Sequence, residues 1–330
     1  MPVEARAAPR AEATGVKLEA GDGFILRGRL WATPGNHARV AVINSGAGIA
    51  LKFYERFAAY LAENGIPTLV YDYRGIGKSR PASLRGFEAS VEQWGSKDCA
   101  AALDWLGLRF PGARKLLIGH SVGGFVAGFA MNGRSIDEMM LIGAHTGYWR
   151  DYAAKARPAM FLLWHVIMPA ITRMLGYFPG RRLHLLEDLP KGVALEWAAR
   201  RKPEFWWNLR RPDGSPDTEL IEALRARFLS IGARALIVRF TDDPFATEDA
   251  TARILGLFGN VSAKSLVLGA ADADGQAIGH FGFFRSRFRS TLWPRVVEAL
   301  TDGRNAARQP NGPISVAGSL PEPNPETRCK

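Results

Sequence analysis

Cysteine is scarce in this chain of 330 residues, which contains only Cys99 and Cys329. Two cysteines so far apart offer neither a disulfide framework nor the Cys and His spacing of a metal site. The sequence therefore predicts a protein of the reducing cytoplasm that binds no metal ion.

Long apolar runs are absent as well. Residues 1–15 are rich in Ala, Arg and Glu and lack the apolar centre of a signal peptide. The most apolar stretch, residues 159–171, contains His165 and Pro169 and falls below the ~18 residues that a membrane-spanning helix needs. We therefore predict no stable membrane insertion, and we interpret this stretch either as the core of an insertion or as a lid that covers a site.

Acidic residues are in deficit, since 32 Asp and Glu stand against 43 Lys and Arg, for a net charge of +11. A basic balance of this size is found in proteins that bind nucleic acid or membrane surfaces. The excess, however, is mostly arginine scattered along the chain, and its densest clusters are only residues 200–202, 210–211 and 285–289. We therefore predict solvated basic faces and no nucleic-acid partner.

What the chain does contain is an alternation of short apolar runs and longer helical patterns. Residues 39–43, 68–71 and 138–142 are continuous apolar runs of the kind that forms buried parallel strands. Amphipathic periodicity of the helical kind fills residues 53–64 and 91–108. The alternation predicts βαβ units and a mostly parallel sheet, which is an α/β fold.

This rhythm changes in the middle of the chain. Residues 144–230 show no clear strand, contain several prolines and hold five of the nine tryptophans, which indicates a helical cap or lid. The last residues are rich in Asn, Gly, Pro and Ser, a composition typical of disorder. The predicted organisation is an unstructured segment (1–15), the first part of the core (16–143), the cap (144–230), the second part of the core (231–300) and a disordered tail (301–330).

The stretch 115–130 carries the strongest chemical signal. An apolar run too short for a helix leads into Gly119-His120-Ser121-Val122-Gly123, and small and apolar residues follow at helical spacing. A serine between glycines on a sharp strand-to-helix turn is the G-x-S-x-G nucleophile elbow. We therefore predict that Ser121 is a nucleophile and that the N–H of Val122 lies where an oxyanion forms.

A serine nucleophile needs a base to take its proton and a carboxylate to orient that base. On this architecture they follow the serine in the order acid, then histidine, each after a strand. Asp242 and Asp243 follow the apolar run 235–240, and His280 follows the last predicted strand. We predict His280 as the base and Asp243 as the acid, because Pro244 fixes the turn behind it. Asp242 is the alternative acid.

Two more histidines and one loop complete the predicted site. His145 follows a strand directly and is a candidate substrate contact. His120, inside the elbow, is a second candidate contact, although we expect it to pack beside Ser121 rather than to act as the base. The glycine-rich loop 44–48 ends a central strand and offers the second oxyanion donor, with the N–H of Gly46 or Ala47 favoured.

These motifs resemble those of the α/β-hydrolase family over roughly residues 16–300. The resemblance rests on 44–48, 72–79, Gly119–Gly123, Asp243 and His280. Residues 54–57, 147–149, 189–192 and 280–284 are similar to a bacterial subgroup of predicted hydrolases related to the serine aminopeptidase and monoacylglycerol-lipase-like branch. The resemblance implies an eight-stranded, mostly parallel sheet flanked by helices, with a helical cap inserted after the sixth strand. One motif departs from the family, since Ser45-Gly46 stands where His-Gly is usual.

Residues and resemblance together indicate a serine hydrolase that cleaves a carboxylic ester through an acyl-enzyme and needs no cofactor. The apolar, Trp-rich cap favours a small-molecule ester with a hydrophobic part. Peptidase, thioesterase and acyltransferase activities use the same triad and stay open as alternatives, as does a non-catalytic binding protein on the hydrolase fold. The sequence carries no signal for the oligomeric state.

Overall fold

The structure, a computed structural model, describes residues 11–203, 209 and 213–302. Its centre is an eight-stranded sheet with the strand order β1-β2-β4-β3-β5-β6-β9-β10. The first two pairings, β1 with β2 and β2 with β4, are antiparallel, and every later pairing is parallel. The predicted α/β fold is therefore confirmed. The strands are β1 (Glu12–Glu19), β2 (Ile25–Ala32), β3 (Arg39–Asn44), β4 (Thr68–Tyr71), β5 (Arg114–His120), β6 (Glu138–Ile142), β7 (Tyr177–Phe178), β8 (Leu189–Pro190), β9 (Arg234–Phe240) and β10 (Ser262–Leu268).

Helices cover both faces of this sheet, because its central strands are apolar on both sides. In β3, Val40 and Val42 enter one core while Ala41 and Ile43 enter the other, as the two-residue period of a strand requires. The helices are α1 (Glu55–Glu63), α2 (Val91–Gln93), α3 (Ala100–Arg109), α4 (Val122–Val126), α5 (Arg157–Leu162), α6 (Met168–Leu175), α7 (Lys191–Ala198), α8 (Thr218–Leu229), α9 (Glu248–Leu257), α10 (Gly279–Gly282) and α11 (Leu292–Asp302). The core that contains Val40 lies under α3, α4 and α8, and the other lies under α1 and α11.

The first strand begins earlier than the sequence predicts. β1 starts at Glu12 and pairs with β2 from Glu12 opposite Ala32 onward, so the expectation of an unstructured segment is wrong for residues 12–15. The side chains of these residues are exposed, so the sequence shows no apolar pattern there. The strand is held by backbone pairing at the sheet edge. Residues 1–10 and the tail from residue 303 lie outside the described residues.

The segment between β6 and β9 carries α5 to α8. The expectation that it has no strand is wrong, since β7 and β8 pair through two residues each, too short a run for any periodicity to show. The apolar stretch 159–171, which the sequence suggests is shorter than a membrane span, belongs to a longer helix. It runs from Arg157 to Leu175, 19 residues, and is long and apolar enough by composition to cross a membrane. A π-helical turn at Leu163–Ile167 precedes Pro169 and accommodates its missing N–H, so the helix continues. Residues 204–208 and 210–212 of this segment lie outside the described part.

Candidate active site

Ser121 sits on a sharp turn between β5 and α4. Its backbone adopts φ 55° and ψ −126°, a left-handed conformation that side-chain-bearing residues rarely adopt. The two flanking glycines are required by space, because a Cβ on Gly119 would lie 2.4 Å from the Cα of Gly124, and one on Gly123 would lie 2.2 Å from the carbonyl oxygen of Asn44. The turn therefore brings α4 against β3 and places Ser121 on the wall of a cavity.

Asp243 and His280 form a buried pair beside this serine. Nδ1–H of His280 donates a hydrogen bond to Oδ2 of Asp243 at 2.8 Å. The other carboxylate oxygen accepts the N–H groups of Phe245 and Ala246 at 2.8 and 3.2 Å. Burial acts to raise the pKa of Asp243, but these hydrogen bonds and the imidazole outweigh it and hold the pKa below its usual value. The carboxylate is thus ionised and leaves Nε2 of His280 as the unprotonated nitrogen.

Asp242, the alternative acid, has a different role. Its carboxylate accepts the N–H groups of Ile278 and Gly279 at 2.8 and 2.9 Å, which ties β9 to the turn just before His280. Neighbouring side chains on this turn point apart, so the geometry contradicts Asp242 as the partner of the imidazole. It anchors the histidine loop instead.

His145 lies directly against the serine. Its Nε2 is 3.2 Å from Oγ of Ser121, and its Nδ1 accepts the N–H of Gly147 at 3.0 Å. Since Nδ1 is an acceptor, the single proton of the neutral ring is on Nε2 and points at the serine. Burial, and next the nearby His280, lower the pKa of His145 to about 3, so the ring is neutral. Within the described residues, Oγ of Ser121 is therefore hydrogen-bonded to His145 and not to His280.

His120 does not reach the cavity. It is fully buried, its Nδ1 is 2.8 Å from the hydroxyl of Tyr54, and its Nε2 is 3.0 Å from the carbonyl oxygen of His280. Burial lowers its pKa to about 3, so it stays neutral at physiological pH. The interpretation of His120 as a substrate contact is wrong, because its ring lies behind the elbow, between Tyr54 and the histidine loop.

The hydrogen bonds of the loop after β3 reduce the number of candidate N–H donors to an oxyanion. The N–H of Gly46 donates to the hydroxyl of Tyr54 at 2.9 Å, so this donor is already engaged and Gly46 is contradicted as an oxyanion donor. Across the described residues, the N–H groups of Ala47 and Val122 donate no hydrogen bond. Ala47 lines the cavity next to Ser121, and Val122 begins α4.

A cavity of about 560 Å³ opens above these residues, between the carboxyl edge of the sheet and the cap. Its walls are mainly apolar. The helix Arg157–Leu175 contributes its inner side, and the rim carries Lys52 and Arg285. Sequence reasoning missed this rim and the linking role of Tyr54, since neither leaves a motif. The cap contributes Met160, Leu163, Trp164, Met168, Leu185, Leu186, Val193 and Trp197 to the wall.

A parallel sheet whose fifth strand ends in a nucleophile elbow, with a helical insertion after the sixth, is the architecture of the α/β hydrolases. A family model described as "Serine aminopeptidase, S33" matches residues 35–202, more than half of the 330 residues. The chain belongs to this family and is a serine hydrolase of the α/β-hydrolase class. No curated protein matches it.

Solved structures share the fold at low sequence identity. An esterase of Pyrococcus furiosus matches with a TM-score of 0.54 and 16% identity, over 88% of this chain and 91% of its own. DcsB, solved in complex with its substrate analogue, matches with a TM-score of 0.55 and 17% identity, over 89% and 99%. A putative hydrolase of Agrobacterium vitis S4 matches with a TM-score of 0.52 and 15% identity, over 91% and 100%. At these identities the likeness is one of fold.

Proposed function

We propose that this hydrolase cleaves carboxylic esters with a hydrophobic part through an acyl-enzyme, with Ser121 as nucleophile, His280 as base and Asp243 as the acid that orients it. The observation that carries the proposal is the buried hydrogen bond between Nδ1 of His280 and Asp243, next to a strained serine on the wall of an apolar cavity. This pairing fixes the imidazole tautomer that a base needs.

The acylation step follows from these positions. Nε2 of His280 takes the proton of the Ser121 hydroxyl as Oγ attacks the ester carbonyl carbon. The electron pair of the carbonyl moves to its oxygen, which the N–H groups of Val122 and Ala47 stabilise. The intermediate collapses, the bond to the alcohol breaks, and the alcohol leaves with the proton from His280. Asp243 stabilises the imidazolium while it exists. Side chains and backbone N–H groups suffice for every step.

The cavity favours an ester over the peptide amine terminus that the family description suggests. Recognition of an ammonium group needs an unpaired carboxylate near the serine. Of the described residues on the cavity wall, Glu187 is the one carboxylate, and Arg181 pairs with it at 2.6 Å. Lys52 and Arg285 add positive charge at the rim. An apolar acyl or alcohol group fits this wall better than a cation, and thioesterase or acyltransferase chemistry remains the alternative on the same triad.

A fluorophosphonate probe tests the nucleophile. The purified protein is treated with the probe, and the adduct is located by peptide mass spectrometry, with Ser121→Ala and His280→Ala as controls. We expect a stoichiometric adduct on Ser121 that is absent from both variants. A wild-type protein that takes no label would overturn the catalytic proposal and favour a binding protein on this fold.

A substrate panel then tests the ester assignment. Acetate, butyrate and octanoate esters of p-nitrophenol are compared with an octanoyl thioester and with aminoacyl p-nitroanilides. We expect the highest kcat/KM for the longer ester and the lowest for the anilides. Faster cleavage of the anilides would assign the site to a peptidase.

A further inference from the structure

Beside the triad, the cavity holds a second histidine that has no place in the usual scheme. His145 is buried, and its Nε2 lies 3.2 Å from the reacting oxygen of Ser121. Two contacts determine what it can do there. Gly147 donates its N–H to Nδ1, which places the ring proton on Nε2, and the lowered pKa of His145 keeps the ring from taking up a second proton.

The loop that holds His145 is itself held rigidly. Arg200 is buried, and its Nη1 donates to the carbonyl oxygen of Thr146 at 2.5 Å, while its guanidinium lies over the ring of Trp197 at 5.2 Å. Gly147 has φ 87°, and a Cβ there would lie 3.0 Å from the Trp197 ring. Trp197 of the cap helix α7 and Arg200, two residues after its end, therefore fix the turn that aims His145 at the serine.

We propose that His145 is a further catalytic residue, a fixed neutral donor to Oγ of Ser121 that speeds release of the acyl group; the proposal rests on the ester hydrolase function above. In deacylation, His280 takes a proton from water as the water oxygen attacks the acyl carbon. The intermediate then collapses, the bond from carbon to Oγ breaks, and its electron pair goes to Oγ. Oγ receives the proton from His280, while Nε2–H of His145 donates to Oγ throughout and transfers no proton.

The donor acts where negative charge develops. Oγ carries little charge as an ester oxygen and much more as it leaves, so a preorganised N–H lowers the barrier of this step selectively. The same hydrogen bond makes the resting hydroxyl oxygen less nucleophilic, so acylation gains less from it. Loss of His145 should therefore slow deacylation more than acylation.

Two variants separate a donor from a base and from a packing residue. His145→Phe keeps a ring but removes the donor. His145→Gln places an amide N–H near the former position of Nε2 and cannot act as a base. The acylation burst and the steady-state rate are measured with p-nitrophenyl butyrate, the acyl-enzyme is quantified by mass spectrometry, and Tm is recorded for each protein.

We expect His145→Phe to slow deacylation on the order of 100-fold, the usual cost of one lost donor, and to accumulate acyl-enzyme on Ser121. His145→Gln should recover most of the rate. A deacylation rate in His145→Phe equal to that of the wild type would overturn the proposal. Fluorophosphonate labelling of Ser121 would then still support the hydrolase function. A Gln variant as slow as the Phe variant would overturn the donor role. A wild-type protein that neither labels nor acylates would overturn the hydrolase function and this proposal together.

The outer side of the cap carries a second, independent feature. The helix Arg157–Leu175 turns Met160, Leu163, Trp164 and Met168 toward the cavity. Its opposite side is apolar and exposed, with Leu162 51%, Val166 48% and Met174 82% accessible. We call this stripe the outer cap face; it comprises Ala159, Leu162, Val166, Ile167, Ala170 and Met174.

The charged residues around the outer cap face indicate the kind of surface that it binds. Residues 153–186 contain no Asp or Glu and five basic residues. One of them, Arg181, pairs with Glu187, and the others flank the stripe in sequence at both ends of the helix or in the loop that follows. An apolar stripe bordered by cations is the pattern of a helix that lies in the interface of an anionic bilayer. The basic residues of the cap are Lys155, Arg157, Arg173, Arg181 and Arg182.

We infer that the outer cap face docks on an anionic lipid surface, with the helix parallel to the membrane. The length and apolar composition of the helix would also suit a membrane span. However, His165, Met168 and Thr172 on its inner side are buried in the fold, and a span would have to expose them. Docking keeps that packing and brings the cavity, which shares Leu185 with the exposed surface, close to the lipid.

Sedimentation with vesicles tests the docking, using Ser121→Ala protein so that the result is independent of hydrolysis. The vesicles are phosphatidylcholine alone, or equal parts of phosphatidylcholine and phosphatidylglycerol. We expect binding to the anionic vesicles that weakens at high salt. Leu162→Glu combined with Val166→Glu should weaken binding at least about tenfold, because two apolar side chains no longer enter the interface. Leu108→Glu, at an 85% accessible leucine on α3, is the matched control and should bind as well as the parent.

Several outcomes would overturn the docking proposal. These are no binding to anionic vesicles, equal binding by the double variant and the control, and a dimer in light scattering that the double variant abolishes in the absence of vesicle binding. The last result would assign the outer cap face to a second copy of the chain.

Discussion

The hydroxyl of Tyr54 donates a hydrogen bond to Nδ1 of His120 at 2.8 Å, at the back of the nucleophile elbow. The same hydroxyl oxygen accepts the N–H of Gly46, and Nε2–H of His120 donates to the carbonyl oxygen of His280 at 3.0 Å. One continuous chain of hydrogen bonds thus joins the proposed oxyanion loop, the N-cap residue of α1, the elbow and the histidine loop. These buried groups hold one another in place, because each has no water to bond with instead.

Removal of the Tyr54 hydroxyl tests this chain. Tyr54→Phe leaves the N–H of Gly46 and Nδ1 of His120 without their partner. We expect the free energy of unfolding to fall by about 2 kcal/mol, within the range for buried polar groups left unpaired, and kcat/KM to fall as the oxyanion loop loosens. Urea denaturation and ester hydrolysis measure the two effects. The half-buried Tyr177, changed to Phe, is the matched control and should alter neither quantity; an equal effect of both changes would contradict the chain.

The two adjacent aspartates should differ sharply in their effect on catalysis. Asp243→Asn loses the charge that fixes the His280 tautomer and stabilises the imidazolium, so we expect kcat/KM to fall about 10³- to 10⁴-fold. Asp242→Asn keeps a carbonyl oxygen for one of the two N–H groups that Asp242 binds, and we expect a loss under about tenfold. Ester hydrolysis by both variants gives the comparison, and similar losses in both would argue against the assignment of Asp243.

The buried neutral state of His145 predicts a pH dependence of stability. The pKa of His145 lies at about 3 in the folded protein, below its ordinary value of 6.5. Between these values the unfolded chain binds a proton that the folded protein does not, so the free energy of unfolding falls as the pH decreases through this window. In His145→Gln the unfolded chain no longer binds this proton, because the glutamine side chain does not titrate. We expect its slope of unfolding free energy against pH to be shallower by about 1.4 kcal/mol per pH unit near pH 5.

Urea denaturation of the wild type and His145→Gln between about pH 4.5 and 6.5, followed by circular dichroism, measures the slope. The pKa of His120 is lowered in the same direction, and His120 contributes equally to the slope in both proteins. The difference between the two slopes therefore reports on His145 alone. Parallel curves for the two proteins would show that His145 is charged in the fold.

The two sides of the cap helix provide a test of the cavity. Leu163 faces the cavity, whereas the preceding residue, Leu162, faces outward. Leu163→Trp should fill part of the 560 Å³ and lower kcat/KM for the octanoate ester at least about tenfold, with little effect on the acetate ester. Leu162→Trp adds the same volume outside and should leave both esters unchanged. If the ratio of kcat/KM for the two esters is the same in both variants, the cavity does not hold the acyl chain.

The sequence by itself determined the architecture. Short continuous apolar runs mark the central strands and 3.6-residue apolar periods mark the helices of the core, and the change of rhythm after β6 marks the insertion. These signals are local, since each depends on which side of one element is buried. The part of the sheet that escaped, the first residues of β1, is held by backbone pairing rather than by apolar side chains, and backbone groups carry no sequence signal.

Only the tertiary structure decided which of several candidate groups lie at the proposed site. Asp242 and Asp243 share one local sequence pattern, as do Gly46 and Ala47, and His120 and His145 each lie at or just after the end of a buried strand. The choice within each pair depends on the direction in which a side chain or an N–H points, and packing against a distant segment sets that direction. Tyr54 engages Gly46 and His120, and the loop before His280 engages Asp242. Ala47 and His145 line the cavity, and Asp243 reaches the site through its hydrogen bond to Nδ1 of His280.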